Sequence, residues 1–224
     1  MLRLGTKYQI ECLRDDAVRR LGACFPSQLD TFTTLYTSEL FKKGLVLRYP
    51  HDVIVLKQNH VVAVVELAQT FDLHHLLPSA LYMCAQLSID MKLNGYRDRD
   101  GRNWVLSKST LKRCLAGEAK LRLETREQEK FVMLGESSPD CPRSSSCERR
   151  LASTRRHRLR AMQETPNALS GSKWIEDIGL CEMCCTYFVQ KHVGHQLKVW
   201  KNLAKYFELG DMEWPVSSQD GGAA

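Results

Sequence analysis

The chain has 224 residues, of which 43% are hydrophobic and 26% charged, and it carries a formal net charge of +6. That balance excludes a wholly disordered chain, and the length suffices for one large domain or two small ones around a real core. Apolar runs such as Val61 to Val65 fall far short of the roughly 18 residues a membrane span needs, and Arg3, Lys7 and Glu11 break up any secretory signal core.

With no membrane partner expected, the chain is assigned to the cytoplasm or nucleus, where thiols stay reduced and disulfides are rare. Residues 1–22 read as two helical pieces with a break near Tyr8. In the second piece Ile10, Leu13, Ala17 and Leu21 form one apolar stripe, with Glu11, Arg14, Asp15, Asp16, Arg19 and Arg20 facing outward. The run Leu2-Arg3-Leu4-Gly5-Thr6-Lys7-Tyr8-Gln9-Ile10-Glu11-Cys12-Leu13, continuing to Leu21, resembles the final helical hairpin of a BTB/POZ domain. In that family an apolar helix is followed by Lys-Tyr and then by an Ile-x-x-Leu helix. The sheet and dimer-forming helices that precede the hairpin in a BTB fold have no counterpart here. The expectation is therefore a fragment or short product of a BTB protein, or a lone C-terminal module.

Beyond Phe25-Pro26, which stops the helix, Leu29, Phe32, Tyr36 and Leu40 repeat at helical spacing. Val46 to Tyr49 and Val53 to Leu56 are β-branched enough for short strands. Val61 to Phe71, followed by Leu76-Leu77-Pro78-Ser79-Ala80-Leu81-Tyr82, is similar to the region after the BTB domain in a group of fungal, basidiomycete-type BTB proteins. Pro78 fits the first turn of a helix, where its missing amide hydrogen costs nothing. Relative to that group residues 54–60 read as an insertion absorbed by a surface loop.

Asn94-Gly95 and Asp100-Gly101 are turn dipeptides, so residues 90–104 read as a loop. Asp98-x-Asp100-Gly101 lacks the Glu that closes a calcium loop, since the twelfth position is Ser109, and reads as a solvated turn. Ser107 is placed to cap a helix running toward Lys130 whose buried stripe would be Leu111, Cys114, Leu115 and Ala119. Gly117 inside it points to close packing or a bend. Leu106-Ser107 and Cys114-Leu115-Ala116-Gly117 also resemble the fungal group.

Residues 135–147 read as a Gly/Ser/Pro-rich loop carrying Cys141 and Cys147, followed by a helix from about Glu148 to Met162. Between Arg143 and Arg160 seven arginines stand against one acid, Glu148. Arg149, Arg150, Arg155, Arg156, Arg158 and Arg160 suit an anionic partner as well as a solvated helix face. Arg149-Arg150-Leu151-Ala152-Ser153 also has the form of a basophilic kinase site. Cys181-Glu182-Met183-Cys184 opens the most periodic stretch of the chain, with Cys185, Val189, Val193, Leu197, Trp200, Ala204 and Phe207 on one face. Trp214-Pro215 resembles the terminal motif of the fungal group, and residues 216–224 read as a disordered tail.

Cys12, Cys24, Cys84 and Cys114 stand singly and read as small buried hydrophobes. Cys141, Cys147, Cys181 and Cys184 leave three readings open. They form a structural zinc site, they are adventitious buried thiols, or they serve redox or an altered ligand set in which Cys185, His192 or His195 replaces one of them. His192 and His195 have a spacing that can hold a metal, though exposed helix histidines often do nothing, and His74-His75 reads as a surface or capping pair.

No Gly-x-Ser-x-Gly, His-Glu-x-x-His or phosphate loop is present, and the chain reads as a non-enzyme. The expected fold is mainly α, an irregular helical bundle that begins with the BTB-type hairpin (1–25), continues through a helical region (26–134) and ends in a Cys-rich, zinc-stapled part (135–215). What the resemblance implies is adaptor work: a module binding other proteins, as in ubiquitin-ligase adaptors or transcription complexes, and a cullin scaffold where a BTB core is supplied. The alternative is a zinc-stabilised nucleic-acid-binding protein using the Arg149 to Arg160 helix.

Overall fold

The computed structural model describes residues 1–36, 45–49, 52–164 and 166–215, with side chains for all of these except 45–49, 52, 53 and 156–164. Residues 37–40 of the expected third helix and the tail at 216–224 lie outside the described residues.

The chain is mainly helical. Helices α1 (Leu2–Lys7) and α2 (Glu11–Cys24) pack as a hairpin whose turn passes through Gln9 at φ 56. Gly5 allows the crossing, since a Cβ there would lie 2.7 Å from the amide nitrogen of Arg14. Ala17 is the buried member of the α2 stripe, while Ile10 is exposed and Leu13 and Leu21 are half-buried. Helix α3 (Leu29–Leu35) follows, then an antiparallel hairpin of β1 (Leu45–Tyr49) and β2 (Asp52–Leu56), with Val46 opposite Val55. Residues 54–56 therefore complete a strand and do not belong to a surface loop. Their backbone groups pair with β1, as three β-branched residues in four favour.

Helices α4 (His60–Thr70) and α5 (Leu77–Ala85), joined through a 3-10 turn at His74–Leu76, form the centre. Every residue of α5 is buried, as an all-round apolar helix must be, and Pro78 sits in its first turn. Its one large polar side chain is satisfied: the Tyr82 hydroxyl donates to Asn167 Oδ1 at 2.8 Å and accepts the Leu169 amide at 3.1 Å.

Residues 90–104 are not the continuous loop expected. Ser88 caps α6 (Ile89–Asn94), and Tyr96–Arg97 (β3) pairs with Asn103–Trp104 (β4) around the Asp98 turn. The turn dipeptides are where expected, but each closes a short element. Asp98 uses its carboxylate on the amides of Asp100 and Arg102 and on the Trp104 indole.

Helix α7 (Lys108–Gln128) is capped by Ser107. Its buried side is Thr110, Cys114, Gly117, Leu121, Thr125 and Gln128; of the expected stripe Cys114 is buried and Leu111 packs against the core, whereas Leu115 and Ala119 are exposed. Gly117 decides the rotation: a Cβ there would lie 2.1 Å from the Phe207 ring, so the helix presents its glycine edge to that aromatic.

After α8 (Lys130–Leu134), the long α9 (Ser144–Glu164) begins earlier than expected and takes Cys147 into its first turns. A short α10 (Lys173–Glu176) leads to α11 (Glu182–Lys201) and α12 (Leu203–Tyr206). The expected continuous helix to Phe207 breaks at Asn202, and the buried face of α11 is Cys184, Phe188, His192, Gln196, Val199 and Trp200. Val193 and Leu197 are exposed. Gln196 donates to the carbonyls of Leu169 and Ser170, and the His192 ring contacts the Ser170 carbonyl, so polar contacts turn the helix away from its most apolar edge.

Two hydrophobic cores result. The larger joins residues from Leu2 to Phe207 and includes α4, α5, Leu121 and Trp200. The Trp200 indole donates to the Ser27 carbonyl at 3.0 Å, fastening α11 to the amino-terminal segment. Among the described side chains the smaller holds Val132, Cys147, Leu151, Ile175, Cys184 and Phe188 as buried members. Two of these six are thiols, and Phe131, Met133, Trp174, Ile178, Leu180, Tyr187 and Val189 pack partly buried around them, so the sulfurs sit inside an apolar shell.

Candidate metal centre

The four clustered cysteines come together in the smaller core. The sulfurs of Cys141, Cys147, Cys181 and Cys184 all lie within 4.8 Å of one another, and Cys141 Sγ is 3.6 Å from Cys181 Sγ. A tetrahedral ion with metal–sulfur bonds of about 2.3 Å sets its sulfurs about 3.8 Å apart, so the observed spacing suits one ion. All four are free thiols; of the cysteines that stand singly, Cys24, Cys84 and Cys114 are buried as expected, whereas Cys12 is exposed.

Backbone features deliver each sulfur. Gly135, in the left-handed region at φ 71, ends α8 and releases the loop that carries Cys141. The Cys147 amide donates to the Arg143 carbonyl at 3.1 Å as α9 starts. On the other side the 176–180 turn needs Gly179 at φ 73, where a Cβ would also lie 2.4 Å from Arg150 Nη1. Cys181 then stands in extended conformation as the N-cap of α11, with Cys184 in its first turn. Two long helices thus point their amino-terminal ends at the cluster, where the macrodipole favours negative charge.

Each sulfur also faces a backbone amide. Ser138 N–H reaches Cys184 Sγ at 3.3 Å and Cys181 N–H reaches Cys147 Sγ at 3.4 Å. The amides of Arg143 and Cys184 act on Cys141 and Cys181 and favour their thiolates. Ser138 Oγ lies 3.3 Å from Cys184 Sγ as well. Such outer contacts orient ligand sulfurs and stabilise their charge.

The thiols differ in acidity. The Cys184 amide draws the Cys181 thiol from 9.0 down to about 7. Burial pushes the Cys141 thiol up to about 12 and raises that of Cys147. Four sulfurs this close resist ionising together, because each new thiolate meets the last; a divalent cation removes that conflict.

The other candidate ligands stay outside. Cys185 is half-buried beside the cluster, and burial raises its thiol pKa. His192 is not an exposed helix histidine: it is 1% exposed, with Nε2 2.7 Å from the Ser170 carbonyl oxygen. His195 Nε2 lies 2.9 Å from Glu124 Oε2. His74 and His75 are exposed, away from the cluster.

Among the arginines, Arg149 and Arg150 are exposed on α9, and Arg149 Nε donates to the Ser145 carbonyl at 3.1 Å. Arg155 is half-buried, with Nη2 2.9 Å from where a Gly135 Cβ would stand. The side chains of Arg156, Arg158 and Arg160 lie outside the described residues. Ser138, the Arg143 amide and Gly179 were not foreseen from sequence. Only Gly179, two residues before a Cys-x-x-Cys, carried a readable signal, as a turn glycine.

No helix among the described residues is long and apolar enough to cross a membrane. Comparison with family models, curated proteins and solved structures finds no match to the chain.

Proposed function

We propose that the chain is a non-enzymatic, helical protein-interaction module whose C-terminal part is stapled by one structural zinc ion bound to Cys141, Cys147, Cys181 and Cys184. The observation that carries this reading is the closed four-sulfur set. Catalytic zinc sites keep one position for water or substrate, whereas four thiolates fill a tetrahedron and leave none. Four sulfurs around one centre suit zinc or iron, and the amide-supported sulfurs suit zinc in a reducing compartment, the cytoplasm or nucleus.

The ion would join the 138–147 segment to the start of α11, adding binding energy to the burial of the smaller core as folding energy. The interaction role is supported by the Leu2 to Leu21 hairpin and the Leu76 to Tyr82 segment, which resemble BTB/POZ proteins, and by fold-level analogy it is adaptor work. On that analogy the partners are other proteins, and a cullin scaffold where a BTB core is supplied.

Exposed Arg149 and Arg150 favour a second reading, a zinc-stabilised nucleic-acid binder. Two measurements decide. Protein purified without chelator should hold about one zinc per chain, and the Cys181→Ser, Cys184→Ser double variant essentially none. Binding to a partner protein that survives moderate salt supports the adaptor. A DNA shift that falls steeply with salt and is lost in an Arg149→Ala, Arg150→Ala variant supports the second reading.

A further inference from the structure

The four sulfurs are not equivalent in access. Cys147 is 2% exposed and Cys184 is fully buried, both among Val132, Leu151, Ile175 and Phe188. Cys141 and Cys181 are half-buried and form the solvent-facing edge of the cluster, 3.6 Å apart. Cys141 lies on a loop and Cys181 at a helix N-cap, and the segment bearing each can move without unwinding a helix interior. The inner pair is held by the smaller core and, at Cys184, by the amide and hydroxyl of Ser138.

We propose that Cys141 and Cys181 are a peroxide modification site: hydrogen peroxide oxidises this outer pair to a disulfide, and the ion leaves. The proposal rests on the zinc reading above. The Cys181 thiolate attacks one peroxide oxygen, forming an S–O bond as the O–O bond breaks and hydroxide departs. The Cys141 thiolate then attacks the sulfenic sulfur, forming S–S as the S–O bond breaks and a second hydroxide departs. Two thiolates supply the two electrons that reduce the peroxide.

Four protons balance the step: two turn the hydroxides into water, and two protonate Cys147 and Cys184 as the zinc is released. The new bond needs the outer sulfurs to close from 3.6 Å to about 2.05 Å, a movement of about 1.5 Å. The inner thiols return to being small buried hydrophobes, and the 138–147 segment stays tied to α11 by a covalent bond in place of the ion.

The test uses the full chain as purified, with metal content measured first. It is then treated with a few equivalents of hydrogen peroxide, alkylated and peptide-mapped, while a chromogenic chelator follows zinc. The expected result is one zinc released per Cys141–Cys181 disulfide, with Cys147 and Cys184 recovered as alkylated thiols, and reversal by dithiothreitol plus zinc. A Cys185→Ser variant, which removes the neighbouring thiol outside the cluster, should give the same link at the same rate. Zinc retained while exposed Cys12 is consumed overturns the proposal, as does a link through Cys147, Cys184 or Cys185. A chain that holds no metal yet forms the Cys141–Cys181 link supports the oxidation and overturns the zinc reading. One that holds no metal and forms no link overturns both.

Discussion

At the scale of single residues, two positions carry disproportionate structural weight. Gly117 packs edge-on against Phe207, and the 2.1 Å that an added Cβ would leave cannot be relieved by a flexible side-chain end, because the neighbour is a ring buried at 0% exposure. Alanine gains about 1 kcal/mol of helix propensity over glycine, while overpacking a tight core costs about 1–3 kcal/mol. Gly117→Ala should therefore lower stability in chemical denaturation, with overpacking the larger effect; an increase would mean that α7 and Phe207 separate easily. Gly117 was readable in the sequence as a packing glycine, but its partner was not, since 90 positions separate it from Phe207. The cluster cysteines divide similarly. Cys181 and Cys184 announce themselves by spacing, whereas Cys141 and Cys147 were candidates by residue type alone, and the Ser138 contact to Cys184 had no sequence signature.

At the scale of elements, helical periodicity located α7 and α11 but not the faces they bury. Apolar spacing marks a helix wherever its stripe is continuous, yet the orientation of α11 is fixed by His192 and Gln196 reaching the carbonyls at 169 and 170, contacts between segments distant in sequence. A second polar junction joins α7 to the chain's end. Glu124 accepts from the Tyr206 hydroxyl at 2.7 Å and from Lys198 Nζ at 3.1 Å. Burial of Glu124 works to raise its pKa, but the Tyr206 hydroxyl and the Lys198 ammonium outweigh it, and the carboxyl sits below its ordinary 4.5. A folded-state pKa below the unfolded one contributes stability that is complete above about pH 4.5 and is lost as the pH falls through the folded value. The Glu124→Gln variant should lose stability at neutral pH and show a shallower fall than the parent as the pH drops below the ordinary carboxyl value. Parallel curves would remove Glu124 from the acid response.

At the scale of the whole molecule, the two cores differ in how they are held. The larger draws on helices from both ends of the chain and is apolar enough to stand by burial, as the composition implied. The smaller has six buried members among the described side chains, two of them thiols, and on the zinc reading proposed above the ion adds to what its burial supplies. Chelation should therefore loosen the region 131–189 first. Hydrogen exchange should speed up around Leu151, Ile175 and Phe188 before the α4–α5 core changes; uniform exchange across the chain would contradict this order. Acid should act in the same direction, because protons compete with the ion for thiolates and apparent metal affinity falls as pH drops.

X-ray absorption at the zinc edge of protein purified without chelator should show one zinc per chain surrounded by four sulfurs at about 2.3 Å. A shell containing nitrogen or oxygen, or a chain that folds fully with no metal bound, would contradict the zinc reading.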